Sequence, residues 1–329
     1  MFKILYSKIL NYIILPQEHL EIVPNSKELN VIKILKIFIT KQWRNIYNFT
    51  QRKIINPKLR SFFIKLERFF KNKSQKLQSE KLKKKIDVFK EDEIVFLENI
   101  HLRINFDIIV DQILKIDELY SAYQSNIFYD KKLRNLNQKM GYVKTEELFK
   151  INEILKLIND EEIIKIVEEK LGTKAILDNL WCWWSFKNKD QALGPQNFHR
   201  DYNTLNFVKL FVYLTDVNED SGPHMFVKKS AKDNFFTDTK RYTDKQIIEK
   251  YSKKSILKIV GKKYTSFLAN TFCLHKGLPP RNNDRLLLCI LYSSSPSRAC
   301  PKIPIYKYND FTIKDLLIKN SYLNKMYFK

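Results

Sequence analysis

The chain has 329 residues and carries 59 Lys and Arg against 36 Asp and Glu, a formal net charge of +23. Its 44% hydrophobic and 13% aromatic content is sufficient for a folded core and excludes a wholly disordered chain. No run of 18 apolar residues occurs, so no membrane-spanning helix is expected.

The first residues do not have the pattern of a secretory signal. Lys3, Lys8 and Asn11 interrupt the initial apolar run, and no small-residue cleavage site follows it. The four cysteines form no Cys-x-x-Cys pair, and three of them lie in apolar or aromatic contexts typical of strands. This pattern indicates buried free thiols in a reducing compartment, and we expect a cytoplasmic protein.

Positive charge is concentrated in the first quarter of the chain. Residues 1–90 hold 21 Lys and Arg against 6 Asp and Glu, an excess of 15. Residues 31–49 and 62–70 place apolar side chains at helical spacing among these cations, which predicts a basic helical extension over residues 1–88. Residues 71–85 are rich in Lys, Gln and Ser and are expected to form a linker or an exposed helix.

Such basic amphipathic helices have two common uses. Either they contact an anionic membrane surface peripherally, or they pack on a neighbouring domain. Nucleic-acid binding is not expected, because no aromatic-interleaved recognition motif accompanies the charge.

The middle of the chain alternates between strand and helix patterns. Residues 93–97 are expected to form a strand, and the apolar spacing of 104–122 predicts one helix. Residues 145–171 predict two helices that are split near Asn159 and Asp160, the second ending at Gly172. Residues 175–186 predict a strand in which alternation turns at least one of three Trp toward the interior.

The sequence Phe198-His199-Arg200-Asp201 carries the strongest chemical signal. Residues i and i+2 of an extended segment point to the same side, so His199 and Asp201 offer an imidazole nitrogen and a carboxylate oxygen together. With His275 as a third ligand, two His and one carboxylate would cover one face of a metal and leave the opposite positions open. This arrangement suits non-haem Fe(II), whereas structural zinc sites have four protein ligands.

A second signal is an Arg at the start of an apolar strand, 285–292, which follows a turn at 281–284. We expect this strand to pair with the one that carries His275. A buried guanidinium needs an anionic partner, and the planar fork of Arg285 suits a carboxylate. That partner is either a bound carboxylate or a neighbouring acid such as Asp284, whereas Arg281 is expected to be solvated in the turn.

Further strands are expected at 207–214 and 224–227, joined by a polar turn at 216–223. His224 in the second strand is expected to have a structural or substrate-side role instead of ligating metal. The insert 231–258, with a helix at 244–253, lies between the two ligand-bearing segments and is a candidate lid.

The order and spacing of these pieces resemble one known family. Residues 93–295 are similar to the phytanoyl-CoA dioxygenase family of Fe(II)- and 2-oxoglutarate-dependent oxygenases. The matching pieces are Phe198-His199-Arg200-Asp201, Phe211-Val212-Tyr213-Leu214 with Asp216-Val217, Ser221-Gly222-Pro223, the run from Asn270 to Gly277, and Arg285.

The resemblance implies a double-stranded β-helix, or jelly roll, with iron held by His199, Asp201 and His275 and 2-oxoglutarate held by Arg285. The Asp201 carboxylate points to hydroxylation or another oxidation and away from halogenation, which needs that ligand to be missing. The chain departs from the family at Gly277, where many members carry a hydroxyl residue that helps to hold 2-oxoglutarate. A second departure is Val227-Lys228-Lys229-Ser230, where many members have a Pro-Gly-Ser-His type of turn.

Together these observations predict a mainly β protein with flanking helices, built on a cupin-like jelly-roll core at residues 89–305, with a helical extension at 1–88 and a tail at 306–329. The predicted activity is oxidation of a small organic or lipid-like substrate with Fe(II), 2-oxoglutarate and O₂. The alternatives are a non-catalytic jelly-roll binding protein and a membrane-surface adaptor that uses the basic extension. The sequence does not indicate an oligomeric state.

Overall fold

The computed structural model describes residues 50–70, 79–121, 127–133, 139–188, 194–301 and 303–329. They belong to a compact unit that spans Asn48–Lys329. The helices are α1 (Pro57–Phe70), α2 (Glu80–Asp92), α3 (Phe106–Leu114), α4 (Thr145–Phe149), α5 (Asn152–Ile158), α6 (Glu161–Leu171), α7 (Asp244–Lys250), α8 (Lys314–Lys319) and α9 (Ser321–Asn324). The strands are β1 (Ile94–Phe96), β2 (Glu118–Ser121), β3 (Ile127–Asp130), β4 (Met140–Tyr142), β5 (Ile176–Ser185), β6 (Phe207–Tyr213), β7 (His224–Val227), β8 (Ile256–Ile259), β9 (Ser266–Ala269), β10 (His275–Gly277) and β11 (Arg285–Ser293). Over the described residues, none of these helices combines the length and the apolar character needed to cross a bilayer.

The strands form two antiparallel sheets. The large sheet has the order β1-β9-β6-β11-β5-β4-β2-β3, and the small sheet has the order β10-β7-β8. Their inner faces pack together, since the ring of His224 on β7 lies 5.0 Å from that of Phe211 on β6 and 5.6 Å from that of Phe267 on β9. The predicted mainly β jelly-roll core with flanking helices is confirmed.

Alternation along the central strands separates two packing surfaces. On β5, Cys182 and Trp184 face outward and pack with the helices, whereas Trp181 and Trp183 face the small sheet. The register places Trp183 opposite Leu287 of β11, and Leu287 opposite Tyr213 of β6. The large sheet is therefore buried on both faces, and the expectation that at least one Trp faces the interior is confirmed.

Two predicted helical regions differ from the structure. The helix predicted over 104–122 ends at Leu114, and residues Glu118–Ser121 instead form β2, which pairs with β3 and β4. Residues 145–171 form three helices, although the predicted break at Asn159 and Asp160 is present. The Asp160 carboxylate caps α6 by accepting the Ile163 N–H at 3.0 Å, and Gly172 ends α6 with a φ of 71°.

The described part of the predicted extension packs within the compact unit. Arg60 of α1 is buried and donates hydrogen bonds to the carbonyls of Ile54 and Thr204. The Glu67 carboxylate accepts the Ser294 hydroxyl at 2.7 Å. Leu82, Ile86 and Phe89 of α2 are buried. The predicted boundary at residue 88 therefore falls inside this unit, and residues 50–70 and 80–88 follow the packing alternative.

One side of α1 remains exposed, with Phe62 at 59% and Phe69 at 79% of their accessible surface. Residues 31–49, which carry much of the membrane-contact prediction, lie outside the described residues, as do 71–78 of the predicted linker. Peripheral membrane contact stays a prediction.

The predicted C-terminal tail also packs on the core. The Tyr327 hydroxyl donates to the Asp178 carbonyl of β5 at 2.9 Å, and Leu317 and Phe328 are buried. All four cysteines are free and buried, as predicted.

Candidate metal centre and cosubstrate pocket

His199 and His275 are joined through their main chains. Each backbone N–H donates to the other residue's carbonyl at 3.0 Å, in an isolated antiparallel bridge. The bridge brings the two imidazole rings to a centroid distance of 4.3 Å. Asp201 follows two residues after His199, and its N–H donates to the Thr271 carbonyl at 2.8 Å.

The three predicted ligands converge at one point. Asp201 Oδ1 lies 3.6 Å from His199 Nε2, and Asp201 Oδ2 lies 3.2 Å from His275 Nε2. One ligand atom from each residue lies within 4.8 Å of the other two. Among the described residues, these three side chains form the cluster that could hold a metal ion. Both His are buried and Asp201 is partly buried, so a bound ion would be largely shielded from bulk water.

Backbone carbonyls orient both imidazoles. His199 Nδ1 lies 2.9 Å from the Asn197 carbonyl oxygen, and His275 Nδ1 lies 2.9 Å from the Cys273 carbonyl oxygen. Because a carbonyl oxygen only accepts hydrogen bonds, each Nδ1 carries the proton and each Nε2 keeps a lone pair directed toward Asp201. A carbonyl that accepts from the nitrogen opposite the metal is typical of metal-binding His.

Lys209 is a functional residue that the sequence analysis missed. It lies inside β6, and its Nζ donates to Asp201 Oδ2 at 2.7 Å. Burial favours a higher pKa for Asp201, but the positive charge of Lys209 beside it opposes this effect, and the pKa of Asp201 lies well below its usual value. Asp201 is therefore an ionised carboxylate, as a metal ligand must be. The available signal was a single Lys within an otherwise apolar strand.

Arg285 is buried, with 4% of its surface exposed, and is incompletely paired. Its Nη2 donates to Ser185 Oγ at 3.1 Å, but Nε and Nη1 are buried without a hydrogen-bond partner among the described residues. Burial lowers the pKa of Arg285, and Tyr213 and Tyr142 offset only part of this effect. A carboxylate in this pocket would supply the acceptors that the guanidinium lacks.

The acidic partner considered from sequence lies elsewhere. Asp284 Oδ1 accepts the Lys187 backbone N–H at 2.7 Å, and among the described residues Asp284 forms no ion pair with Arg285. The side chain of Arg281 is exposed, as expected for a turn residue.

The expected pairing of the Arg285 strand with the His275 strand is wrong. β11 lies between β5 and β6 in the large sheet, so both of its edges are occupied, while β10 pairs with β7 in the small sheet. Arg285 instead approaches β10 across the interior. A Cβ built on Gly277 would lie 3.3 Å from Arg285 Nη2, so the absence of a side chain there leaves room for the guanidinium.

The insert at 231–258 is tied to both ligand segments. Arg200, next to His199, donates to the carbonyls of Phe235 and Phe236 at 2.9 Å and of Phe272 at 2.7 Å. Lys276, next to His275, forms an ion pair with Asp244 at the start of α7. The helix in the insert is shorter than predicted, ending at Lys250. Its role as a lid stays a prediction.

Comparison with known proteins identifies the family. The family model described as phytanoyl-CoA dioxygenase (PhyH) matches residues 51–285. The chain belongs to this family. Its membership makes the protein a non-haem Fe(II)- and 2-oxoglutarate-dependent dioxygenase, which confirms the predicted enzyme class and its cofactors, Fe(II) and 2-oxoglutarate with O₂. The match begins well before residue 89, within the predicted extension.

The chain is also similar to several solved structures, among them HygX, EctD and SnoN. HygX from Streptomyces hygroscopicus, solved with nickel and 2-oxoglutarate, has 12% identity and a TM-score of 0.48, with 68% of this chain and 89% of that chain covered. EctD from S. alaskensis, solved with Fe, has 13% identity and a TM-score of 0.48, with 67% and 80% covered. The epimerase SnoN from nogalamycin biosynthesis has 14% identity and a TM-score of 0.43, with 64% and 82% covered. No curated protein gives a significant match.

Proposed function

We propose that this dioxygenase hydroxylates, or otherwise oxidises, a small organic or lipid-like substrate and forms succinate and CO₂ from 2-oxoglutarate. His199, Asp201 and His275 hold Fe(II), and Arg285 binds the distal carboxylate of 2-oxoglutarate. The observation that carries the proposal is the convergence of His199, Asp201 and His275 beside a buried Arg with unpaired nitrogens.

The residues present fit the cofactor. Two Nε2 lone pairs and an ionised carboxylate occupy one side of the site, which matches the ligand set of non-haem Fe(II) oxygenases. When bound there, Fe(II) supplies O₂ activation coupled to decarboxylation of 2-oxoglutarate. The protein supplies placement: the carbonyls of Asn197 and Cys273 fix the imidazoles, and Lys209 fixes one oxygen of Asp201.

The interior next to this site favours an organic substrate. Aromatic and aliphatic side chains of β5, β6 and β11 line it, among them Trp181, Trp183, Phe211 and Leu287. The Trp183 Nε1–H is buried without a partner among the described residues, which offers one donor to a substrate or cosubstrate. Apolar surroundings with a few polar groups are typical of sites for small organic ligands.

The test is anaerobic addition of Fe(II) and then 2-oxoglutarate to the purified protein. We expect a visible metal-to-ligand charge-transfer band and, after admission of O₂, succinate. His199→Ala, Asp201→Ala and His275→Ala should each abolish succinate formation and sharply weaken Fe(II) binding, because each removes one of three protein ligands. The matched control is His101→Ala, which changes an exposed His and should alter neither readout.

Full activity in any of the three ligand variants would contradict the metal-site assignment. Absence of both the band and succinate in the unaltered protein would instead favour the non-catalytic binding protein. The membrane-surface adaptor is not favoured by any contact in the described residues.

A further inference from the structure

His224 is a buried histidine for which the proposed metal site has no use. It begins β7, has 4% of its surface exposed, and its Nε2 has no hydrogen-bond partner among the described residues. It is not part of the group of converging metal-ligand atoms. A buried imidazole nitrogen without a partner costs free energy comparable to a lost hydrogen bond, so its position calls for a ligand.

The ring of His224 contacts the ring of His275, and His224 is also paired with Gly277, the residue that adjoins Arg285. The two rings stack at a centroid distance of 5.5 Å and an interplanar angle of 17°. In the small sheet, His224 is paired in register with Gly277 of β10. A Cβ on Gly277 would lie 3.3 Å from Arg285 Nη2. Paired residues of adjacent strands present their side chains on the same face, so His224 faces the same space as the unpaired guanidinium nitrogens.

The packing around His224 leaves few other roles. Phe211 and Phe267 contact its ring at 5.0 and 5.6 Å, and neither offers a hydrogen bond. Arg285 also has buried nitrogens without hydrogen-bond partners among the described residues, and its guanidinium is a donor only. A shared acceptor between His224 and Arg285 would satisfy both residues at once.

We propose that His224 is a cosubstrate-binding residue that donates its Nε2–H to the distal carboxylate of 2-oxoglutarate, alongside Arg285. This inference rests on the proposed function and extends it. It also accounts for Gly277: a hydroxyl side chain at that position is missing, and the imidazole of the residue opposite in the register supplies a donor to the same space.

The experiment compares two ligands on two variants. The anaerobic, Fe(II)-loaded protein is titrated with 2-oxoglutarate and with 2-oxopentanoate, which has the same carbon chain but no distal carboxylate, and binding is followed by the charge-transfer band. His224→Phe keeps an aromatic ring between Phe211 and Phe267 but removes the donor, and His224→Gln places an amide N–H near the original Nε2. The control Phe267→Leu alters the same packing without touching a polar group.

The expected result is a rise in the 2-oxoglutarate Kd of about 10- to 100-fold in His224→Phe, the size of a hydrogen bond to a charged group. His224→Gln should recover most of this loss. The Kd for 2-oxopentanoate should change little in either variant, and Phe267→Leu should leave the ratio of the two Kd values unaltered. Fe(II) affinity and melting temperature, measured without cosubstrate, should stay close to those of the unaltered protein in His224→Phe.

Three outcomes would overturn the inference. Unchanged 2-oxoglutarate binding in His224→Phe shows that the ring makes no contact with the cosubstrate. An equal loss for both ligands assigns His224 to packing alone. No band with the unaltered protein overturns the proposed function as well, and this outcome is distinct from the first two because it appears before any substitution is made.

Discussion

Arg285 is buried with two nitrogens that have no hydrogen-bond partner among the described residues. A buried guanidinium with two unpaired nitrogens is energetically costly unless a ligand pairs with it, and the described residues supply no acidic partner for Arg285. Its position was readable from the sequence because an Arg at the start of an apolar strand is rare without a partner. The identity of its neighbours could not be predicted from the sequence, since Ser185, Tyr213 and Gly277 lie on three strands that are distant from Arg285 in the chain.

Substitution of Arg285 should affect the cosubstrate and spare the metal. Arg285→Gln removes a charge-assisted contact in a buried pocket, and we expect the 2-oxoglutarate concentration for half-maximal turnover to rise about 100-fold or more. Fe(II) affinity, measured in the absence of 2-oxoglutarate, should remain nearly constant. Arg281→Gln is the matched control, because Arg281 lies in the same turn region with an exposed side chain. If Arg281→Gln raised the 2-oxoglutarate requirement and Arg285→Gln did not, the carboxylate site would lie in the turn.

Lys209 offers a second test at a single side chain. Its ammonium holds Asp201 Oδ2 at 2.7 Å, so Lys209→Met should leave that oxygen free to move and weaken Fe(II) binding by about 10- to 100-fold, as loss of outer-shell partners commonly does. Competition with a fluorescent chelator measures the affinity. The control is Lys258→Met, which breaks the exposed ion pair with Glu219 and should have no effect. An unaltered Fe(II) affinity in Lys209→Met would limit this Lys to packing.

Among the structural elements, the insert at 231–258 is held at its start by side chains that donate to its backbone carbonyls. Arg200 donates to three carbonyls, those of Phe235, Phe236 and Phe272, and so links the start of the insert to the segment that carries His199. The Tyr202 hydroxyl adds a bond to the Thr237 carbonyl at 2.8 Å. The insert is therefore anchored beside the proposed metal ligands at its start, and the Lys276–Asp244 ion pair holds it again at the start of α7.

Arg200→Leu should release this anchor. We expect faster amide hydrogen exchange over residues 233–243 and earlier proteolytic cleavage at Lys240, because the carbonyls of Phe235, Phe236 and Phe272 lose their donor at once. The control is Arg241→Leu, an exposed Arg within the same stretch. Equal exchange rates in Arg200→Leu and the unaltered protein would show that packing alone holds the insert.

Local patterns predicted more of the fold than long-range pairings did. The spacing of His199 and Asp201, the Arg285 position and the Gly172 helix end were readable because each depends on a few adjacent residues. The helix predicted through residue 122 was wrong, because β2 forms by pairing with β3 and β4, and such pairing overrides a local helical pattern. The prediction that β11 pairs with the His275 strand was wrong for the same reason, because the neighbours of a strand depend on the whole sheet.

At the scale of the whole molecule, the compact unit begins at Asn48, well before the predicted boundary at residue 88. α1 and α2 were assigned to a separate extension because of their charge, yet they contribute buried side chains and hydrogen bonds to the unit that begins at Asn48. The charge pattern was misleading because basic residues occupy the exposed sides of these helices, while Arg60 is buried against main-chain carbonyls.

A pair of truncations tests this boundary. A chain that starts at Asn48 should keep its melting temperature and its succinate formation. A chain that starts at Phe89 loses the burial of Leu82 and Ile86, worth about 1.5–3 kcal/mol each, together with the Arg60 bonds, which is a large share of a stability of about 5–15 kcal/mol. We expect it to be insoluble or inactive. A fully active, cooperatively melting chain from Phe89 would restore the boundary at residue 88.

The reciprocal main-chain bonds between His199 and His275 bear on how the enzyme survives loss of its iron. Because the two segments hold each other through N–H and carbonyl groups, chelation would remove the ion without separating the two proposed His ligands. We therefore expect the iron-free protein to keep its ligand residues in place and to bind Fe(II) again without refolding.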